Sequence, residues 1–137
     1  MKKINCILLI DDNVADNVFH TIILKEAAVC NYIRSVTSGQ NALEYLIKSG
    51  ELNQLESFPK PDLIYLDINM PGMDGFEFLE EYKKLNEKLT ANVKIIMLTT
   101  SLNPDDQKRS LANPSLTEFQ NKPLTVEIVR ATIEKYF

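Results

Sequence analysis

The stretch Ile7-Leu8-Leu9-Ile10-Asp11-Asp12 places a short apolar run directly in front of two carboxylates. A second run of the same kind is Ile95-Ile96-Met97-Leu98. Short runs that are apolar at every position are typical of strands buried on both faces of a parallel sheet. We predict five strands from short apolar runs, several of them almost wholly apolar, at residues 4–10, 32–36, 63–66, 93–98 and 116–119.

Between these runs, apolar residues recur at the three- and four-residue spacing of a helix. Val14, Val18 and Ile22 form one stripe, with Phe19 and Ile23 beside it, and we expect this face to pack against the sheet. The alternation predicts an α/β fold, a doubly wound (βα)₅ unit with a five-stranded parallel sheet and right-handed crossovers. The other stripes are Ala42, Leu43, Leu46 and Ile47; Phe78, Tyr82, Leu85 and Leu89; and Val126, Val129 and Ile133.

Composition narrows the class of protein. The 137 residues suit one domain, and 45% hydrophobic with 25% charged residues is an ordinary globular balance. A net charge of −4 gives no general attraction for nucleic acid or an anionic membrane surface. The apolar start resembles a signal peptide, but it continues directly into Asp11 and Asp12 without a small-residue cleavage site, so we do not expect export. The two cysteines, Cys6 and Cys30, form no CxxC motif. We therefore expect a reduced, cytoplasmic protein.

Side chains able to do chemistry follow four of the predicted strands. Asp11 and Asp12 follow the first, Asp67 the third and Thr99 the fourth, while Lys122 lies just past the fifth. Each alone is more often a helix cap or a surface charge, but the carboxyl ends of the strands share one edge of such a sheet. Three carboxylates gathered there repel one another, and without His or Cys nearby they favour Mg²⁺.

This set of groups suits the handling of a phosphoryl group. A divalent cation and an ammonium neutralise phosphoryl oxygens, a hydroxyl donates to one of them, and an aspartate serves as nucleophile. The four glycines form no phosphate-binding loop, so a nucleotide cofactor is disfavoured and Mg²⁺ is the one cofactor expected.

Four motifs together resemble the receiver domain of two-component response regulators, and the resemblance covers essentially the whole chain. The motif at residues 67–75, D-x-x-M-P-x-M-D-G, is the most specific of them. The opening Asp-Asp-Asn and the Leu-Thr-Thr-Ser stretch are most similar to stand-alone regulators associated with phytochromes. The resemblance implies the flavodoxin-like receiver fold. The motifs are Asp11-Asp12-Asn13, the stretch 67–75, Leu98-Thr99-Thr100 and Asn121-Lys122-Pro123-Leu124.

The resemblance also implies the chemistry of the site. Asp67 would accept a phosphoryl group from a sensor histidine kinase or a phosphotransfer protein. Asp12, Asp67 and the backbone carbonyl of Asn69 would bind Mg²⁺, with Asp11 holding metal-bound water. Lys122, joined to the next residue by a cis bond, would contact the phosphoryl group.

The same resemblance implies a switch. Thr99 would move toward the phosphoryl oxygen, and Phe119 occupies an aromatic switch position at which many relatives carry Tyr. Output would pass through the face formed by the fourth helix, fifth strand and fifth helix, to an unknown downstream protein or in a homodimer. We expect one receiver domain over residues 1–137 with no output domain, acting as a switch rather than a turnover enzyme.

Two stretches depart from the family pattern. Ala112-Asn113-Pro114-Ser115 stands where relatives usually have Gly-Ala, and the connection 49–61 is longer than usual. The polar residues Asn69 and Ser101, two positions beyond Asp67 and Thr99, predict moderate self-dephosphorylation.

Two other classes of protein remain open. One is a receiver-like adaptor that works without phosphate. The other is a phosphatase with an aspartate nucleophile, which would need D-x-D after the first strand, whereas Asp11 and Asp12 are contiguous. His20, the single histidine, is expected at a half-buried or surface helix position and is a weak candidate for phosphotransfer.

Overall fold

Strands and helices alternate along the chain, as the sequence predicts. The computed structural model describes residues 3–51, 57–100 and 103–137. The elements found there are β1 (Ile4–Ile10), α1 (Val14–Ala27), β2 (Cys30–Val36), α2 (Gly39–Ser49), β3 (Leu63–Leu66), α3 (Gly75–Tyr82), α4 (Glu87–Thr90), β4 (Lys94–Thr99), α5 (Pro104–Leu111), β5 (Glu118–Asn121) and α6 (Val126–Tyr136).

The five strands form one sheet in the order β2-β1-β3-β4-β5, and every neighbouring pair is parallel. This is the strand order of flavodoxin-like folds, so the predicted doubly wound fold class is confirmed. The order reverses at β1, which pairs with β2 on one side and β3 on the other. A crevice therefore opens beyond the carboxyl ends of β1 and β3.

The sheet separates two apolar layers, because alternate residues of each strand point to opposite faces. Leu8 and Ile10 of β1 belong to the cluster that includes side chains of α2 and α3. Ile7 and Leu9 belong to the cluster that includes side chains of α1 and α6. Continuous burial on both faces explains why residues 6–10 of β1 and the whole of β3 are unbroken apolar runs.

The predicted core face of α1 is wrong. Val14, Val18 and Ile22 are exposed, together with Phe19, and only Ile23 of the predicted face is partly buried against the core. The buried side chains of this helix are Asn17, His20, Leu24 and Ala27. The reason is a polar anchor at the start of the helix: the Asn17 amide donates to the backbone carbonyl of Asp11 at 2.9 Å. This contact turns the apolar stripe away from the sheet. Ile47 of α2 is exposed as well.

The stripe from Phe78 to Leu89 is divided rather than continuous. Helix α3 ends at Tyr82, and α4 is a separate turn whose N-cap, Asn86, accepts from the backbone N–H of Lys88 at 3.0 Å. The predicted fourth and fifth helices are consequently α5 and α6.

The edge strands begin or end two residues away from their predicted limits. Strand β5 runs from Glu118 to Asn121 rather than over 116–119, because Leu116 still belongs to a turn. The N–H of Leu116 donates to the carbonyl of Asn113 at 3.1 Å, and the Asn113 side chain accepts from the N–H of Ser115 at 2.9 Å. The unusual stretch 112–115 thus forms a turn stabilised by its own asparagine.

Among the described helices, none combines the length and the apolar character needed to cross a membrane. The connection 49–61 is described only in part, since residues 52–56 lie outside the described ranges, as does Ser101.

Candidate functional site

The three predicted carboxylates meet at the switch point of the sheet. Ile10 pairs with Leu66 across β1 and β3, so Asp11 and Asp67 leave neighbouring strands side by side. The N–H of Asp67 donates to the carbonyl of Ile10 at 2.9 Å. One carboxylate oxygen from each of Asp11, Asp12 and Asp67 lies within 4.8 Å of the others.

Burial distinguishes these carboxylates. Asp11 is 4% exposed and Asp67 7% exposed, whereas Asp12 lies open to solvent. Burial raises the pKa of Asp67 to about 6; Lys122 opposes this rise and the charge of Asp11 adds to it. The carboxyl of Asp67 therefore loses its proton at a higher pH than an ordinary aspartate, and a cation bound beside it would lower this pKa.

Lys122 places its ammonium between three carboxylates. Nζ lies 2.5 Å from Asp11 Oδ2, 2.9 Å from Asp16 Oδ2 and 3.4 Å from Asp67 Oδ1. Burial lowers the pKa of Lys122, but the hydrogen bonds to Asp11 and Asp16 outweigh it, so the net pKa lies above its usual value. Lys122 is therefore a fixed positive charge beside Asp67.

The backbone fixes the position from which Lys122 reaches into the site. Its N–H donates to the carbonyl of Thr99 at 2.8 Å, which joins the ends of β4 and β5. The bond between Lys122 and Pro123 is cis, as the family resemblance implies.

The predicted switch residues lie on β4 and β5. Thr99 is fully buried at the end of β4, two residues beyond Met97, which pairs with Leu66. Phe119 pairs with Met97 and is half-buried against the cluster under α2 and α3. Their movement on phosphorylation stays a prediction.

Asn69 stands in the loop that follows Asp67. Its side chain is exposed, whereas the flanking Ile68 and Met70 are buried and hold the loop against the core. The Gly75 N–H closes the loop by donating to the carbonyl of Ile68 at 2.8 Å. The metal-binding role of the Asn69 carbonyl stays a prediction.

Sequence reasoning missed two residues of this region, Asp16 and Asn17. Both lie in the first turn of α1, whose N-cap Asn13 accepts from the N–H of Asp16 at 3.1 Å. The helix begins at the rim of the site, so its first turn necessarily faces the strand ends. This position, directly after Asp11 and Asp12, is the feature that could have indicated them.

His20 is more deeply buried than expected, at 3% exposure. Burial lowers its pKa, and the nearby Lys122 lowers it further, which favours the neutral imidazole. Its ring lies edge-on to Phe19, with ring centroids 5.6 Å apart. An enclosed position of this kind suits packing rather than phosphotransfer.

Chemically, the site combines hard oxygen ligands with one ammonium. Asp11, Asp12 and Asp67 offer oxygens at a spacing that fits one divalent cation, and Mg²⁺ prefers such ligands. Lys122 supplies a second positive charge, with its ammonium in contact with both Asp11 and Asp67. Fold and site together define a flavodoxin-like α/β protein with an acidic pocket at its switch point.

Comparison with protein families is consistent with this class. The family described as "Response regulator receiver domain" matches residues 7–134, so the chain belongs to the response regulator receiver domains. Members of this family act as signalling switches rather than turnover enzymes, and they bind Mg²⁺ at an acidic pocket. The prediction of a single domain over residues 1–137 without an output domain stays a prediction.

Three curated relatives illustrate the range of similarity. Response regulator Rcp1 of Synechocystis sp. is 37% identical over 100 residues, which cover 73% of this chain and 65% of Rcp1. The probable methanogenesis regulatory protein FilR2 of Methanothrix harundinacea is 30% identical over 129 residues, covering 94% and 79% of the two chains. The sensor histidine kinase CheAY of Helicobacter pylori is 29% identical over 129 residues, covering 94% of this chain and 14% of CheAY.

Solved structures share the fold. A two component response regulator from Cytophaga hutchinsonii superposes with a TM-score of 0.83 at 32% identity, covering 98% of both chains. The bacteriophytochrome response regulator AtBRR superposes with a TM-score of 0.75 at 26% identity, covering 98% of this chain and 93% of the other. The predicted flavodoxin-like receiver fold is thereby confirmed.

Proposed function

We propose that this chain is a phosphorylation-activated signalling switch in which Asp67 accepts a phosphoryl group from a sensor histidine kinase or a phosphotransfer protein. The observation that carries the proposal is the place of Asp67 within the carboxylate cluster, with Lys122 Nζ 3.4 Å from its Oδ1. The name of the relative CheAY supports a sensor histidine kinase as the donor.

The transfer exchanges one bond for another. An Asp67 carboxylate oxygen attacks the phosphorus of a phosphohistidine, the P–N bond breaks as the P–O bond forms, and the imidazole leaves with a proton taken from water. Lys122 would stabilise the charge on the phosphoryl oxygens, and Thr99 would donate its hydroxyl to one of them. Mg²⁺, held by Asp11, Asp12, Asp67 and the Asn69 carbonyl, would neutralise the remaining charge.

Output would pass through the face formed by α5, β5 and α6. Strand β5 is an edge strand with the half-buried Phe119, and Leu111 of α5 and Ile128 of α6 are exposed. Such a surface suits contact with a downstream protein or with a second copy of the chain. We propose protein contact in the cytoplasm, without nucleic acid or membrane.

The proposal is tested by incubating the chain with a small acyl phosphate and Mg²⁺ and recording its intact mass. We expect one added phosphoryl group on the native chain, none on Asp67→Asn and normal labelling of Asp105→Asn, which removes an exposed carboxylate of α5. Failure of the native chain to label, or equal labelling of Asp67→Asn, would overturn the assignment.

Two alternative functions predict different results. An adaptor that works without phosphate would not label, although its fold would be intact. A phosphatase would release phosphate from an aryl phosphate over many turnovers, which we do not expect of a switch.

A further inference from the structure

Asp16 contacts the site through Lys122. Its Oδ2 lies 2.9 Å from Lys122 Nζ, and its side chain is 37% exposed, against 9% for that of Lys122. Asp16 therefore stands at the rim of the crevice and bonds inward to an enclosed ammonium. The contact spans 106 positions of sequence, from the first turn of α1 to the residue after β5.

The lysine ammonium has three N–H donors, and three carboxylates surround it. Two of them, Asp11 and Asp67, belong to the carboxylate cluster that fits a divalent cation, and Asp16 does not. A cation bound by that cluster would compete with Lys122 for Asp11 and Asp67. The contact with Asp16 would be left intact.

We infer that Asp16 is a positioning residue for Lys122. From the rim of the crevice, its carboxylate holds the enclosed ammonium close to Asp67 while the cluster carboxylates bind the cation. A lysine side chain has several rotatable bonds, and without such an anchor its ammonium would sample positions from which it misses the phosphoryl oxygens. This inference rests on the proposed acceptance of a phosphoryl group by Asp67.

Asp16 could instead act only as a carboxylate in the first turn of α1, where it interacts favourably with the helix dipole. It could also act only as a negative charge that repels an anionic phosphodonor. Both effects would persist without the lysine ammonium, whereas positioning of Lys122 would not. Lys122→Met therefore separates positioning from the other two.

The experiment measures the rate of labelling by a small acyl phosphate at saturating Mg²⁺, so that changes in cation affinity do not affect the result. Asp16→Asn and Asp16→Glu are compared in the native chain, and Asp16→Asn is repeated in Lys122→Met. Glu26→Gln, at the opposite end of α1 and exposed, is the charge-matched control. Chemical denaturation checks that each variant is folded.

We expect Asp16→Asn to slow labelling about threefold to tenfold in the native chain and to change it by less than about twofold in Lys122→Met. Asp16→Glu should restore part of the rate, and Glu26→Gln should match the native chain. An equal fold-change in both backgrounds, or no change in either, would overturn the inference. A loss seen only with a protein phosphodonor would assign Asp16 to partner contact instead.

A second measurement needs no phosphoryl group. The ¹⁵N resonance of the Lys122 ammonium, assigned by its absence in Lys122→Met, should be sharp in the native chain and broadened by faster hydrogen exchange in Asp16→Asn. An unchanged resonance would overturn the inference even if Lys122→Met labels too slowly to measure. Failure of the native chain to label would count against the proposed function and leave this test valid.

Discussion

Gly75 packs directly against the backbone that carries the acceptor, Asp67. A methyl group on Gly75 would lie 2.6 Å from the carbonyl oxygen of Asp67 and 2.9 Å from the α-carbon of Ile68. Gly75 is also the first residue of α3, where Asp74 and Glu77 form a reciprocal capping box. The helix start and the acceptor loop are therefore held together at a spacing that only glycine allows.

Gly75→Ala is expected to lower the free energy of unfolding by about 1–3 kcal/mol, because backbone must move to admit the methyl group. It should also reduce labelling of Asp67. Gly39→Ala is the matched control, since the atoms its methyl group would meet belong to the flexible side chain of Met73. Urea denaturation of both variants makes the comparison, and equal stability of the two would contradict the packing argument.

The carboxyl of Asp67 should titrate with a pKa of about 6 in the absence of metal. Burial disfavours its charged form, and Mg²⁺ should lower this pKa because a nearby cation favours the carboxylate. Carbon-detected NMR of the carboxyl carbon, with Asp67→Asn to assign the signal, measures both states. A midpoint at the ordinary aspartate value of about 3.9 in a chelator solution would contradict the prediction.

The raised pKa also predicts how Asp67 affects stability. The folded chain binds the Asp67 proton more tightly than the unfolded chain does, so this carboxyl destabilises the fold increasingly as the pH rises from about 4 to 6. In a chelator at neutral pH, Asp67→Asn should therefore raise the free energy of unfolding by up to about 3 kcal/mol.

The gain from Asp67→Asn should shrink to about 0.5 kcal/mol near pH 4, where the native carboxyl is protonated in the folded chain and about half protonated in the unfolded chain. Urea denaturation at both pH values makes the comparison. Excess Mg²⁺ should reduce the gain at neutral pH, because the cation binds the folded native chain more tightly than folded Asp67→Asn and so stabilises the native chain more. A variant less stable than the native chain in chelator at neutral pH would contradict this prediction.

The sequence predicts the central strands because they are buried on both faces, and it predicts the site because the strand ends of such a sheet share one edge. Strands β1 and β3 are buried on both faces, so their apolar runs coincide with their limits at residues 4–10 and 63–66. The edge strands β2 and β5 are partly exposed and carry polar residues, so their limits do not follow the apolar runs. Topology alone brings Asp11, Asp67 and Lys122 to one edge.

The orientation of α1 could not be predicted from periodicity. The exposed Val14, Val18 and Ile22 have the spacing of a core face, whereas contacts of Asp16 and Asn17 with the strand ends set the rotation of the helix. Such contacts depend on where distant strands end, which is information that a local pattern lacks.

Asn17→Ala is expected to lower the free energy of unfolding by about 1–3 kcal/mol, because it leaves the buried carbonyl of Asp11 without this donor. The Asn17 amide also reaches the carbonyl of Val36 at 3.4 Å, so the contact ties α1 to the ends of two strands. Asn41→Ala, on the exposed side of α2, is the matched control and should change stability by no more than about 0.5 kcal/mol. Similar losses in both variants would show that the Asn17 contact adds no stability.

Thr99 provides the sharpest test of how phosphorylation would be transmitted. It is fully buried, and its carbonyl accepts from the N–H of Lys122 at the end of β5. With Mg²⁺ and beryllium fluoride as a phosphoryl mimic, we expect amide shifts in β5 and α6 of the native chain and of Thr99→Ser, which keeps the hydroxyl. In Thr99→Ala the mimic should still bind, but these distant shifts should be largely lost, because residue 99 has no hydroxyl to donate to the mimic.

Thr100→Ala, at the exposed neighbouring position, is the matched control. Native-like shifts in Thr99→Ala would show that the signal reaches β5 by another route, for which the bond between Thr99 and Lys122 is the first candidate.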